Sequence, residues 1–266
     1  MSTPADVRAL FEEKLKEGVP NPPGEFDPVD LERVKDDKYL TRLLRHHDKN
    51  AQAAADMLWE ILLWRKTNNV NDIKESTVRT EYLNEGIFFP RGRDVDGCLL
   101  LVIKCKHHVK GQKDFEELKR IIIYWFERIE REENGKKLTL FFDMDGCGLG
   151  NMDLDMIKYL ISLLKFYYPY FLNYIIIFQM PWVLSAAFKI VKQLLPAQAI
   201  EKLKSVNKDG LKDYVHPDQA LVSWGGKDNY TFQFVPERPS EPSAATKKYP
   251  YIKCSLETYF YHIYNK

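Results

Sequence analysis

The sequence lacks a strong excess of charge of either sign. Its 266 residues contain 39 Lys and Arg against 38 Asp and Glu, which gives a formal net charge of +1 at pH 7. A balanced chain produces no long-range field that would attract a polyanion. Basic segments with interleaved aromatic residues are also absent. The composition therefore predicts no nucleic-acid partner.

Cysteine is scarce, and its spacing excludes the small disulfide-rich scaffolds. The four cysteines, Cys98, Cys105, Cys147 and Cys254, form no CxxC pair. Such low density is typical of a reducing compartment. The first residues, MSTPADVRAL, contain no apolar core of a signal peptide. We therefore expect a cytoplasmic protein.

Familiar catalytic motifs are missing as well, since the chain has no GxSxG, HExxH or Walker A sequence. Two pairs of adjacent histidines occur, at 46–47 and 107–108. Neighbouring residues of a helix or strand point in different directions, so neither pair makes a metal site by itself. We expect these histidines at the surface. We also expect no enzyme, no cofactor and no metal.

The most motif-like segment is FFDMDGCGLGN, residues 141–151, which follows a strand and precedes a helix. One hypothesis is a phosphatase or transferase centred on Asp143 and Asp145. The three glycines of this segment do not have the GxGxxG spacing of a dinucleotide site. A calcium loop fails, because Leu154 stands where a bidentate glutamate is needed. The favoured interpretation is a tight turn in which Asp153 caps the following helix.

Hydrophobic periodicity predicts an α/β protein in which a helical N-terminal subdomain precedes a mainly parallel sheet flanked by helices. The strands are apolar almost throughout, which is typical of burial on both sheet faces. The predicted divisions are 1–75 (helical region), 80–235 (α/β domain) and 236–266 (a disordered or loosely docked tail). The expected helices cover residues 4–17, 30–46, 51–66 (with Asn50 as N-cap), 113–133, 153–168, 182–195, 197–202 and 209–214. The expected strands cover residues 87–92, 98–105, 138–143, 174–178 and 204–206, the first two joined at Asp96-Gly97.

A long stretch without charge, residues 166–188, first suggests a membrane span. Pro169 and Pro181 within it argue for a helix end, a buried strand and a second helix instead. That second helix, residues 182–195, has only a narrow polar stripe. It is either buried on most sides or a lid with apolar material on both sides.

Several segments resemble one family in the same order. They are the leucine-arginine repeat that leads to Trp-Arg at 64–65, the strand and turn LTLFFDMDGCGL, the YYP run at 167–169, the segment MPWVLSAAFKIVKQLLP and Trp-Gly-Gly at 224–226. Together they are similar to the CRAL-TRIO lipid-binding domain. The resemblance implies a mobile gate helix over an apolar cavity that holds one hydrophobic lipid of unknown class. The candidate cavity and gate residues are Phe142, Ile176, Phe178, Trp182, Phe188 and Val191.

The resemblance also implies a head-group contact and a membrane partner. Lys202 matches the lysine with which some members hold phosphatidylinositol, whereas Tyr170 replaces their glutamate and His47 their arginine. The closest likeness is to members anchored at the endoplasmic reticulum, so we expect a cytoplasmic protein in transient peripheral contact with membranes. Trp182→Asp should abolish lipid uptake. The alternative is a protein-interaction module with a self-filled cavity, which binds its partner through the helical region or the tail.

Overall fold

A five-stranded sheet lies at the centre of residues 2–237, the part of the chain that the computed structural model describes. The strands lie side by side in chain order. β1 and β2 are antiparallel, and each later pair is parallel, which confirms the predicted mainly parallel sheet. Gly97 has a φ of +79°, as the tight turn between the first two strands requires. The strands are β1 (Phe88–Arg93), β2 (Leu99–Lys104), β3 (Leu138–Asp143), β4 (Leu172–Phe178) and β5 (Leu203–Val206).

Helices precede the sheet and cover it. As the sequence predicts, Asn50 caps the fourth helix, and its side-chain oxygen accepts a hydrogen bond from the amide of Ala53 at 3.1 Å. Residues up to Val235 form one compact unit. The predicted tail lies outside the described residues from residue 238 onward. The α-helices are α1 (Pro4–Leu15), α2 (Pro28–Lys35), α3 (Asp37–His46), α4 (Ala51–Thr67), α5 (Thr80–Asn84), α6 (Phe115–Glu132), α7 (Leu154–Ser162), α8 (Ser185–Leu194), α9 (Ala197–Lys202) and α10 (Lys208–Leu211).

The single helix predicted over residues 30–46 is wrong, because α2 and α3 are separated at Asp36. This residue has an extended backbone, with φ −84° and ψ 103°. Its carboxylate accepts a hydrogen bond from the amide of Lys38 at 2.8 Å. Asp36 therefore begins a new helix, since aspartate favours an N-cap over a helix interior.

The two faces of the sheet contact different parts of the chain. Because side chains of a strand alternate between faces, Ile175 and Ile177 join the core that contains α6, α7 and α8. Ile176 and Phe178 join a second core on the opposite face, with Trp224 and Leu211. The first face is the one that bears on function, because a cavity opens there.

Buried charges join the N-terminal helices to α6. Arg65 on α4 contacts Asp30 on α2 at 2.6 Å and Glu127 on α6 at 2.7 Å. The hydroxyl of Tyr168 donates a further hydrogen bond to Glu127 at 2.7 Å. Although burial acts to raise the pKa of Glu127, Arg65 and the nearby Arg33 lower it to about 2. This carboxylate is therefore ionised inside the protein and held by its partners.

No helix among residues 2–237 is long and apolar enough to cross a bilayer. The uncharged stretch at 166–188 is divided instead. It contains the end of a π-helical turn (Leu163–Tyr167), the strand β4 and the beginning of α8. The interpretation as helix end, strand and second helix is therefore correct.

Candidate functional site

A cavity of about 960 Å³ lies against β3 and β4 and is bounded by α4, α7, α8 and α9. Its lining is mostly aliphatic, aromatic and methionine side chains, with polar groups where α3 and α9 reach it. A volume of this size falls in the range of small-molecule sites. Central lining residues are Leu140, Phe142, Ile175, Ile177 (sheet), Met156, Leu160 (α7), Phe188, Val191 (α8) and Ala199 (α9).

Four of the seven residues predicted for the site line this cavity: Phe142, Phe188, Val191 and Lys202. Ile176 and Phe178 do not. They lie on the opposite face of the sheet, where the ring of Phe178 is 5.6 Å from that of Phe141. The prediction that these two residues line the cavity is wrong. Side chains of a strand alternate between the two faces, and the adjacent Ile175 and Ile177 face the cavity instead.

Trp182 does not line the cavity either, since its side chain is 87% exposed. It begins a short helical turn (Trp182–Leu184) that leads into α8. The buried stripe of this helical segment is Leu184, Phe188 and Val191, whose spacing of four and three residues places them on one side. Trp182 falls outside that stripe.

The outer side of α8 carries both apolar and polar side chains. Ile190 is 49% exposed and Leu194 is 38% exposed, whereas Val191 is only 7% exposed. The interpretation of this helix as buried on most sides is therefore wrong. The helix has an apolar side toward the cavity and a mixed side toward the surroundings, where Ser185, Lys189, Lys192 and Gln193 are exposed too.

Polar groups gather at one end of the cavity, which we call the polar end and define as Arg45, His46, His47, Tyr170 and Lys202. The ammonium group of Lys202 donates a hydrogen bond to the carbonyl of Leu172 at 2.9 Å. Burial lowers the pKa of Lys202. The structure thus brings the three positions singled out by the family resemblance, those of Lys202, Tyr170 and His47, to one cavity.

Both ring nitrogens of His46 form hydrogen bonds at the polar end. The amide of Tyr170 donates to Nδ1 of His46 at 3.1 Å, so the ring proton is on Nε2, which donates to the carbonyl of Lys165 at 3.2 Å. Burial lowers the pKa of His46. The expected surface position is wrong here, and also for His108, which is 1% exposed and contacts Asp153 at 2.9 Å.

Two cations lie beside the ring of Tyr170, and sequence reasoning did not find them. The guanidinium carbon of Arg45 is 5.7 Å from the Tyr170 ring centre, and the ammonium of Lys137 is 4.3 Å from it. Both are within the range of a cation–π contact. Their sequence separation hides the cluster, because α3 and the start of β3 meet at this ring only in the folded chain. Acidic side chains, Asp48, Glu60 and Glu201, also line the cavity.

Asp143 has a structural environment that does not suit a nucleophile. It is 4% exposed, accepts a hydrogen bond from the indole of Trp224 at 2.8 Å and contacts the ammonium of Lys104 at 2.9 Å. Asp153 caps α7 by accepting from the amides of Asp155 and Met156, which confirms the turn interpretation. Residues 2–237 contain no cluster of three or more His, Cys, Asp or Glu side chains suited to a metal ion.

A sequence comparison assigns most of the α/β part of the chain to one family. The model of the CRAL/TRIO domain matches residues 83–226. The chain belongs to the CRAL/TRIO domain family. The matched residues include all five strands of the sheet and α6 to α10, and therefore most of the cavity lining in this CRAL/TRIO chain.

Two curated relatives support the assignment. A CRAL-TRIO domain-containing protein of Schizosaccharomyces pombe is 25% identical over 219 residues, which is 78% of this chain and 49% of the relative. A phosphatidylinositol transfer protein of Eremothecium gossypii is 28% identical over 145 residues, which is 53% of this chain and 33% of the relative. This CRAL/TRIO chain thus matches half or less of each relative's length.

A solved structure shares the fold. The crystal structure of Sfh5 superposes with a TM-score of 0.63 at 18% identity, covering 85% of this chain and 89% of the other. The overlap extends well beyond the residues matched by the family model.

Proposed function

We propose that this chain binds one hydrophobic lipid molecule in the cavity and presents or transfers it at a membrane surface. The observation that carries the proposal is the cavity of about 960 Å³ with its largely apolar lining. Burying apolar surface contributes roughly 25 cal/mol per Å², enough to drive capture of a long acyl chain. The name of the Eremothecium gossypii relative, a phosphatidylinositol transfer protein, supports the same function.

In this proposal α8 is the gate. It forms one wall of the cavity through Phe188 and Val191. Its outer side carries the exposed apolar residues Ile190 and Leu194, and Trp182 is exposed in the turn that leads into it. The apolar side of the helix loses little when it leaves the cavity wall and enters a lipid environment. Movement of α8 would therefore open the cavity where the protein meets a membrane.

The outer side of α8 also suits a membrane interface. Trp182 is exposed at its start, and the exposed lysines Lys189 and Lys192 lie along it. Indole rings and basic side chains are the groups enriched at the boundary between lipid and water. The sequence likeness to the N-terminal domain of motile sperm domain-containing protein 2 makes the cytoplasmic surface of the endoplasmic reticulum our candidate membrane.

Lys202 is our candidate for contact with a lipid head group. It lies at the polar end, where Tyr170 and His47 stand in place of a carboxylate and a guanidinium. These two residues depart from those with which some family members hold phosphatidylinositol, so the proposal leaves the lipid class open. In the proposed domain division, residues 80–235 bind the lipid and residues 1–75 support the polar end.

Adjacent residues of α8 provide the test. Val191 lines the cavity and is 7% exposed, whereas Ile190 is outside it and 49% exposed. Val191→Trp should place an indole ring in the cavity, displace part of a bound acyl chain and reduce the bound fraction of a fluorescent fatty acyl lipid by at least about tenfold, since each buried methylene contributes about 0.8 kcal/mol. Ile190→Trp adds the same ring on the outer side and should leave loading unchanged.

The unfolding temperature of each variant separates loss of binding from loss of the fold. Equal loading of the two folded variants would contradict the assignment of the cavity. Failure of the wild-type chain to take up any lipid would favour the alternative function, a protein-interaction module.

A further inference from the structure

Two cysteines lie just beyond the carboxyl ends of the neighbouring strands β2 and β3. Cys105 directly follows β2, and Cys147 lies in the turn after β3. Both are buried, at 8% and 7% exposure, in the same apolar core, and both are free thiols. Cys105 also lines the cavity.

The backbone segments that carry these cysteines are fixed to each other. Lys104 and Asp143, the last residues of β2 and β3, are register partners, and their side chains pair at 2.9 Å. Further along, the side-chain amide of Asn151 donates to the carbonyl of His108 at 2.8 Å. The amide of Lys110 donates to the carbonyl of Gly150 at 3.0 Å. These contacts hold the two segments that carry the cysteines side by side.

The thiols influence each other's ionisation. The neighbouring Cys147 thiol, together with burial, raises the pKa of Cys105 well above its usual range. The same contact lowers the pKa of Cys147. Cys147 is thus the better nucleophile of the two, and Cys105 is the protonated partner beside it.

We propose that Cys105 and Cys147 form a redox-sensitive pair that closes to a disulfide when the protein meets a peroxide. The Cys147 thiolate attacks one oxygen of hydrogen peroxide; the O–O bond breaks, and the hydroxide that leaves takes up a proton to become water. The sulfur of Cys105 then attacks the sulfenic acid of Cys147, loses its proton and displaces a second water. Two thiols are oxidised and one peroxide is reduced to two waters.

The disulfide would join the end of β2 to the turn between β3 and α7, and thus fix one wall of the cavity. A crosslink between these distant chain positions restricts the unfolded state, so the oxidised protein should be the more stable form. The pair needs no bound lipid to react. Its test is therefore independent of the proposed lipid binding.

The experiment uses the full chain with Cys98→Ser and Cys254→Ser, which leaves only the proposed pair. After treatment with hydrogen peroxide, peptide mapping without reductant should give a linked peptide containing both cysteines. The intact mass should fall by two hydrogen atoms, and the unfolding temperature should rise by about 5 °C. Dithiothreitol should reverse both changes. Adding Cys105→Ser or Cys147→Ser should abolish them.

The proposal fails if the folded protein keeps both thiols under conditions that oxidise the same chain in denaturant. It also fails if Cys147 is converted to sulfinic or sulfonic acid without any linked peptide. Either result would show that the two thiols do not act as a redox-sensitive pair in the native fold.

Discussion

His46 connects α3, the π-helical turn and the approach to β4. Both ring nitrogens are used, one accepting from the amide of Tyr170 and the other donating to the carbonyl of Lys165. A second ring proton would point at the Tyr170 amide, which is itself a donor. The geometry therefore requires the neutral ring.

Acidification should weaken the fold through this residue. Burial holds the pKa of His46 below its ordinary value of 6.5, so the folded state binds the proton less readily than the unfolded state. Above about pH 6.5 the effect is absent, and as the pH falls through 6.5 toward the folded-state pKa, stability is lost. His47, whose pKa burial also lowers, adds to the loss.

Unfolding temperatures between pH 7.5 and 5.5 measure this effect. The decline should be smaller in His46→Gln than in the wild type. His216→Gln changes an exposed histidine and should retain the wild-type decline. Identical slopes in all three proteins would show that His46 does not carry the pH dependence.

The sequence does not show which face of the sheet each residue of β4 lies on. The run YIIIF predicts a buried strand correctly, and the strand is found at Leu172–Phe178. It is apolar on both faces, however, so its pattern has no polar side from which to tell inside from outside. Only packing against Trp224 on one side and the cavity on the other decides that Ile175 faces the cavity and Ile176 does not.

At the scale of one element, α8 should behave as a membrane-binding helix. The exposed Trp182 side chain would bury its ring in the lipid interface, so Trp182→Ala should weaken binding to vesicles of phosphatidylcholine and phosphatidylserine about 30-fold, equivalent to about 2 kcal/mol. Co-sedimentation measures this change. The exposed Val29 on α2, at 68% exposure, supplies the control Val29→Ala, which should bind normally.

This expectation replaces the one drawn from sequence, that a polar residue at 182 abolishes lipid uptake. Since Trp182 is outside the cavity, uptake from detergent should survive its replacement while vesicle binding falls. Normal vesicle binding by Trp182→Ala would contradict the proposed membrane face of α8.

Elements were predictable where local chemistry specifies them and unpredictable where two interactions compete. The bounds of β3 and the N-caps Asn50 and Asp153 follow from an apolar run and a capping side chain. The sequence does not predict the break between α2 and α3, because the apolar residues before and after Asp36 have the spacing of one continuous helix. The sequence does not decide between a buried helix and a lid at α8, because the polar stripe of this helix is narrow.

At the scale of the whole molecule, the buried charges around Arg65 join the N-terminal helices to the α/β part. Glu127→Gln removes the charge that compensates Arg65 and Arg33 in the interior. Loss of one partner of a buried pair costs about 3–5 kcal/mol, so the unfolding free energy in urea should fall by that amount. Glu32→Gln breaks an exposed pair with Lys35 and should cost less than about 1 kcal/mol.

A small effect of Glu127→Gln, similar to that of Glu32→Gln, would mean that the network does not hold the two parts together. The sequence contains all of these charges but gives no indication of the network, because its members lie far apart in the chain. Its free energy depends on burial that only the packed structure creates.

Native mass spectrometry of the purified wild-type chain tests the central claim most directly. The account predicts one bound molecule per chain, released and identified as a lipid after organic extraction, or acquired after incubation with phospholipid vesicles. A mass equal to that of the bare chain, before and after such incubation, would contradict lipid binding and favour the protein-interaction module.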